Sequence, residues 1–278
     1  MIINFLIIIQ EFSMKSKFDE FYYENDAKNH PASEYWELYD KNPREAIQKY
    51  DDHMFCPLCK LAPLSVARGY QRRYFRVINS NMNKHAVNCS YRYNKATKKE
   101  TYKFYKELDE TDIRNRLVSC MNRMLKGPSQ NENKIKSTSK QSEKNRNNNF
   151  LDIQGDRGQR KYLPHKNLNA SNLDEDIDEQ KIYYGRCALW LYQYIPLEEE
   201  EIKMYYLKVL DRNNKKQICE IAISTYVYNY LADELSQIPQ NKKEALNYYI
   251  CFSGILQKGM YSYKCKLKDS RLLVLEKE

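Results

Sequence analysis

Over the last hundred residues apolar and polar positions alternate in short runs. Ile182 to Tyr194, Met204 to Leu210, Gln217 to Ile223, Tyr248 to Leu256, Met260 to Leu267 and Leu272 to Leu275 read as strands, with one helix from Thr225 to Leu235 after the third. Earlier in the chain the period changes. Ile113, Leu117, Cys120, Met121 and Met124 recur at three- and four-residue intervals, so Thr111 to Lys126 reads as a helix with one apolar stripe. Thr111 or Asp112 can cap it and Gly127-Pro128 ends it. Ala96 to Leu108 reads as a helix before it, and Glu34 to Tyr39 and Pro43 to Tyr50 as two shorter ones, within a polar and aromatic segment from Phe18 to Tyr50. Val66 to Arg68 and Tyr74 to Ile78 read as a hairpin with Gly69 near its turn.

Ser129 to Asn149 breaks this pattern. It consists of Asn, Ser, Lys, Gln and Glu around a single apolar residue, Ile135, and buries too little to offset the entropy of ordering. The expected organisation is α+β: a tail or upstream start over 1–13, a basic module over 14–127, a disordered basic linker over 128–174 and a small β-barrel over 175–278. The run Ile2 to Ile9 is too short to span a bilayer and has no cation before it, so neither a membrane segment nor a secretory signal is expected; Met14 is an alternative start. A cytoplasmic protein follows, with Cys187, Cys219, Cys251 and Cys265 as core thiols on the strands and Cys120 on the helix stripe.

Candidate chemistry concentrates in the front module. Cys56-Pro57-Leu58-Cys59 is answered by His85-Ala86-Val87-Asn88-Cys89, four ligands of the softness and number that tetrahedral Zn²⁺ takes in closed structural sites. The ion is expected to staple the hairpin between the two pairs to the segment that carries His85. His53, three residues before Cys56, is a lesser candidate ligand. Phe55-x-x-x-Cys59, Arg72-Arg73-Tyr74-Phe75-Arg76 and Lys84-His85-Ala86-Val87-Asn88-Cys89 together resemble the zinc-binding module at the front of bacterial competence CoiA-like proteins. The resemblance covers residues 55–93. It implies a metal module of a kind found in proteins that handle nucleic acid, and transfers no nuclease activity by itself.

Charge adds a partner class. The chain carries a net charge of +9, while residues 175–278 hold 15 Lys plus Arg against 16 Asp plus Glu, so the attraction for phosphate belongs to the front. Arg68, Arg72, Arg73, Arg76, Lys84 and Arg92 crowd the metal motif, interleaved with aromatics such as Tyr74. In the back half the order of strands and helix is similar to an OB-fold barrel of five or six strands. Period-two sorting sends Cys187, Leu189 and Leu191 to one face of its first strand. Tyr184, Arg186, Trp190, Tyr192 and Tyr194 go to the other, extended by Tyr206 and Lys208 on the next strand, a surface suited to stacking on unpaired bases. The same aromatics can instead pack beneath the helix or the front module. Glu198 to Glu201 would repel a strand at one rim or mark a protein contact.

Catalysis finds little support. Asp211 and Glu220-Ile221-Ala222 supply carboxylates without the lysine that a restriction-type nuclease core requires, and Ala222 stands where CoiA-like proteins have a glutamine. The expected function is therefore non-catalytic binding of single-stranded DNA or RNA, by a basic module with structural zinc and an OB-like barrel. The alternatives are a protein-interaction adaptor that docks its partner through the barrel, and a CoiA-like metal-dependent nuclease.

Overall fold

The computed structural model describes residues 18–69, 73–87, 89–125, 151–170, 173–197 and 201–278. The apolar run at the start, the segment 129–149, Arg72 and the acids 198–200 lie outside the described residues. The described part is α+β, with short elements at the front and one large sheet at the back.

At the front, β1 (Glu20–Tyr23) pairs with β2 (Lys28–Pro31), a hairpin the aromatic sequence did not announce, and helix α1 (Ala32–Lys41) follows directly. Helix α2 (Pro43–Tyr50) opens with proline in its first turn, and the Asn42 side chain accepts the Glu45 N–H as its cap. These helices bury Tyr35, Ala46 and Tyr50. β3 (Met54–Phe55) adds to the far side of β1, and β4 (Ser65–Arg68) forms a hairpin with β5 (Arg73–Arg76). The Phe75 ring anchors that hairpin, edge-on to Phe21 and Tyr35 and stacked on Trp36 at 5.4 Å.

β6 (Asn94–Lys95) leads into α3 (Lys98–Glu107), which starts with a full capping box between Thr97 and Glu100. In α4 (Glu110–Leu125) the stripe of Ile113, Leu117, Cys120 and Met121 is buried as its period predicts. The cap is Asp109, whose side chain accepts the Thr111 N–H, and not Thr111 or Asp112. The basic stretch expected as linker as far as residue 174 is ordered from Leu151. β7 (Asp152–Gln154) and β8 (Arg160–Tyr162) form a hairpin that takes β6 as a third strand, and β9 (His165–Asn167) joins the large sheet. Leu151, Ile153, Tyr162 and Leu163 supply enough burial to order it, which the surrounding charges masked in the sequence.

The back is organised by β10 (Gln180–Tyr194), fifteen residues long. It pairs antiparallel with β11 (Met204–Asp211) and with β13 (Leu246–Ile255); β11 pairs with β12 (Gln217–Ser224), and β12 runs parallel to β15 (Tyr263–Leu267). β14 (Gln257–Lys258) ends the sheet beside β15 and β16 (Leu273–Lys277) ends it beside β13. The closed barrel expected here is not formed. The hydrogen bonds of β13 go to β10 and β16, although Gly254 on β13 approaches Cys265 on β15 so closely that an added Cβ would meet its sulfur at 2.4 Å. The single expected helix is two, α5 (Thr225–Asn229) and α6 (Ala232–Leu235).

A seam joins front and back. Tyr184, expected on an exposed face, is buried with Ile182 and Cys251 in the front core. Glu20 lies 3.7 Å from Arg123 and accepts from Asn167 and Tyr184, while Lys166 pairs with Asp19 at 3.0 Å. No described helix is long and apolar enough to cross a membrane.

Candidate metal centre and aromatic sheet face

The first ligand pair is made by a turn that follows β3. The Cys56 N–H donates to the Ala62 carbonyl at 2.8 Å and the Lys60 N–H to the Cys56 carbonyl at 2.8 Å, with Lys60 at φ 59°, so residues 57–59 curl back and bring Cys59 beside Cys56. The second pair sits where a 3₁₀ segment, Asn79–Lys84, delivers His85, and a turn closed by the Cys89 N–H on the Ala86 carbonyl returns Cys89.

The four side chains converge. Cys56 Sγ is 3.8 Å from Cys89 Sγ, and His85 Nδ1 is 3.4 Å from both Cys59 Sγ and Cys89 Sγ. All four ligand atoms lie within 4.8 Å of one another. A tetrahedral ion with metal–sulfur bonds of ~2.3 Å and a metal–nitrogen bond of ~2.0 Å sets sulfur–sulfur edges of ~3.8 Å and sulfur–nitrogen edges of ~3.5 Å. The group can therefore hold a metal ion through three sulfurs and one imidazole nitrogen. His85 Nδ1 faces the sulfurs while its Nε2 is buried without a hydrogen-bond partner.

The electrostatics suit a cation. Cys59, the most exposed of the three thiols, is held far below its ordinary range by hydrogen bonds from Cys56 and Cys89, aided by the Ala86 N–H. Burial pushes the Cys56 thiol well up, and Cys89 is raised to about 12. Thiols must lose their protons to ligate a cation, so any metal held by this group would bind more tightly as pH rises. His53 is not part of it, since its Nδ1 contacts Glu24 at 2.6 Å.

The basic residues around the motif have other partners than expected. Arg68 is ion-paired with Asp51 and donates to the Tyr35 hydroxyl; Arg73 is ion-paired with Asp40 and lies over Trp36. They clamp the hairpin onto α1 and α2. Tyr74 and Arg76 point to the other face of the hairpin from Phe75, and the Arg76 Nε is buried without a partner. Lys84 is exposed and Arg92 partly exposed.

The sheet face is closer to expectation. Along β10 the exposed side carries Trp190, Tyr192 and Tyr194; in register, Tyr192 lies opposite Tyr206 and Trp190 opposite Lys208. Lys208 Nζ sits 5.7 Å from the Tyr192 ring and 5.2 Å from the Tyr206 ring. The register continues to Glu220 and Ala222 on β12 and to Lys264 and Lys266 on β15. Those two lysines were legible as alternate positions of a predicted strand and were missed. Arg186 leaves the group, ion-paired with Glu278 and lying over Tyr249.

Glu220, the nuclease candidate, is bound by Lys208 and Lys264 and its carboxyl is held below the usual range. Among the described residues the Cys/His cluster is the one group of three or more ligand side chains, so Asp211 and Glu220 do not build a second. The thiols of Cys120, Cys187, Cys219, Cys251 and Cys265 are all buried. Comparisons with protein-family models, with curated proteins and with solved structures find no match to this chain.

Proposed function

We propose that the protein binds nucleic acid without catalysing a reaction, favours unpaired strands, and uses zinc as a structural ion. The observation that carries the reading is the row of Trp190, Tyr192 and Tyr206 around Lys208 on the open side of the central sheet, with Tyr192 43% exposed. An exposed Tyr192 ring between half-buried Trp190 and Tyr206, beside Lys208 and Lys264 that share Glu220, suits stacked bases and a phosphate chain. The pairing order β15-β12-β11-β10-β13, with β12 and β15 parallel and α5 and α6 between β12 and β13, supports an OB-like reading of this half. In folds of that type the face of the second and third strands meets the ligand. Zinc is favoured at the metal centre because three thiolates and an imidazole in a closed tetrahedron suit it. The resemblance of residues 55–93 to the CoiA-like module supports the same assignment.

Labelled single strands and duplexes, titrated with the zinc-loaded chain over a salt series, test the reading. Single strands are expected to bind more tightly, with an affinity that falls as salt rises. At about 1 kcal/mol for each stacked base, the Tyr192→Ala, Tyr206→Ala double variant should weaken binding about thirtyfold. No retention at low salt, or an unchanged affinity in the double variant, overturns it. Metal analysis should find one zinc per chain.

A further inference from the structure

The outward positions of β12 form a lane that runs along the strand. Glu220, Ala222 and Ser224 are half-buried and alternate with Cys219, Ile221 and Ile223, which are fully buried in the back core. The register sets Tyr206 and Met204 of β11 on one side of that line, opposite Ala222 and Ser224, and Lys264 and Lys266 of β15 on the other, opposite Glu220 and Ala222. Lys268 continues the two-residue repeat, and all three lysines are exposed. Ala222 and Ser224 are small, so they offer a low floor between the rings and the cations. One end of the lane is closed by Glu220, which is held by Lys208 and Lys264. The other end leads to α5, because Ser224 is both the last residue of β12 and the cap whose side chain accepts the Val227 N–H.

Two tyrosines of α5 face solvent there. Val227 is buried in the back core and Tyr228 stacks on Tyr205 at 3.7 Å, which leaves Tyr226 69% and Tyr230 64% exposed. Their rings stand edge to face with centroids 5.2 Å apart, and the Tyr230 hydroxyl donates to that of Tyr226 at 3.3 Å. The hydrogen bond with Tyr230, and then the charge of Asp269, raise the Tyr226 phenol, so the pair lies beside the residue that follows Lys268. Asp269 does not offer a bare charge, since Arg271 grips both of its carboxylate oxygens at 2.9 Å. Asp233, exposed on α6, bounds the lane beyond Tyr230. Lys266 and Lys268 have no ion-pair partner among the described residues. Cations in line every ~7 Å favour a polyanion over a peptide as the occupant.

We propose that a single strand of nucleic acid follows this lane, with Lys266 and Lys268 at its phosphates and Tyr226 and Tyr230 as a second stacking station where it leaves the sheet. The inference rests on the function proposed above and adds to it a direction and a further contact.

The test uses the full zinc-loaded chain and labelled oligothymidylates of about four and about twelve nucleotides, compared by fluorescence anisotropy; the short strand covers the sheet face and the long one reaches α5. The short strand reports on the sheet face, and the ratio of the two affinities reports on α5. The Tyr226→Ala, Tyr230→Ala double variant should cut that ratio about tenfold, and Lys268→Gln should lower the salt slope of the long strand by about one. Both tyrosines are too exposed for their loss to disturb folding. A ratio that the double variant leaves unchanged overturns the proposal, while weakened short-strand binding in the Tyr192→Ala, Tyr206→Ala variant would still uphold the function proposed above. Absence of binding to either strand overturns both. A dimer seen by sedimentation that the Tyr226→Ala, Tyr230→Ala variant loses, with its long-strand affinity unchanged, assigns the rings to a second copy of the chain and overturns the proposal as well.

Discussion

The front and the back of the molecule are held together by different means. The front core is built from rings: Phe18, Phe21, Tyr35, Tyr50, Phe75 and Tyr91 are buried around short strands of two to four residues. The back core is largely aliphatic, with Leu189, Leu191, Leu207, Val209, Ile221, Ile223 and Ile250 on strands of eight to fifteen residues. Long strands carry their own ladder of backbone hydrogen bonds, each of modest net worth but many in number. The front has few such bonds, so its ring contacts need an external constraint. A metal ion held by the Cys/His cluster would supply one by tying the turn after β3 to the segment before Tyr91, and Tyr91 packs edge-on against Phe18 at 4.8 Å.

If that contrast is right, removing the ion should be the most severe perturbation. Binding at sites of this type contributes of the order of 10 kcal/mol to folding. Cys89→Ser, or a strong chelator, should collapse amide-exchange protection over residues 54–68 and 89–95 while β10, β11 and β13 keep theirs. Simultaneous loss in both halves would show that the metal holds the entire chain; no loss in either would show that the front stands without it.

Single core truncations sharpen the comparison at a smaller scale. Phe75→Ala is expected to cost about 3–5 kcal/mol, because three aromatic neighbours lose their contact, and Leu207→Ala about 2–5 kcal/mol. The informative readout is metal affinity. Phe75→Ala should weaken zinc binding because hairpin and ion stabilise the same state, and Leu207→Ala should leave it unchanged when each variant is titrated with a competing chelator. Equal effects on zinc would remove the distinction between the two cores.

The contrast also decides what was legible in the sequence. Metal ligands need spacings of a few residues, and the long strands repeat with period two over many positions, so both could be read locally. The β1–β2 hairpin was missed because Phe21, Tyr22 and Tyr23 form a run without alternation, although Asn25-Asp26 before Ala27 at φ 57° is a turn signal. β7 and β8 were hidden by Arg160, Lys161 and Asp152, whose charges are consumed in local pairs such as Arg160 with Asp152 and Lys161 with Glu100. The ion pairs of Arg68 and Arg73 join residues 17 and 33 positions apart, and the Lys166–Asp19 pair spans 147, separations over which one sequence carries no periodic signal. Composition therefore counted the charges of Arg68 and Arg73 without showing the acids they pair with.

The smallest expected effect concerns two histidines that titrate in opposite senses. His30, in the front, lies between Glu34 at 2.7 Å and Asp26 at 2.8 Å, with Tyr50 donating to the same Glu34. The hydrogen bond to Glu34 raises its pKa above 6.5, so its contribution to stability is full below pH 6.5 and is lost as pH rises through the raised value. His165, at the seam, accepts from the Tyr91 hydroxyl at Nε2 and donates from Nδ1 to the Leu163 carbonyl, which fixes the neutral tautomer. Burial, reinforced by Arg123 and by Lys95 and Lys166, lowers its pKa to about 3, with Tyr162 and Tyr184 as its remaining close neighbours. Between pH 6.5 and 3 the unfolded chain then binds a proton that the folded chain refuses, so stability falls with falling pH, at up to about 1.4 kcal/mol per pH unit for one proton. Denaturant midpoints measured from pH 5 to pH 8 should lose the neutral-side decline in His30→Gln and a share of the acid-side decline in His165→Gln. An acid limb that keeps its full slope in His165→Gln would mean that the seam admits the proton, and that front and back are less firmly closed on each other than the buried tyrosines imply.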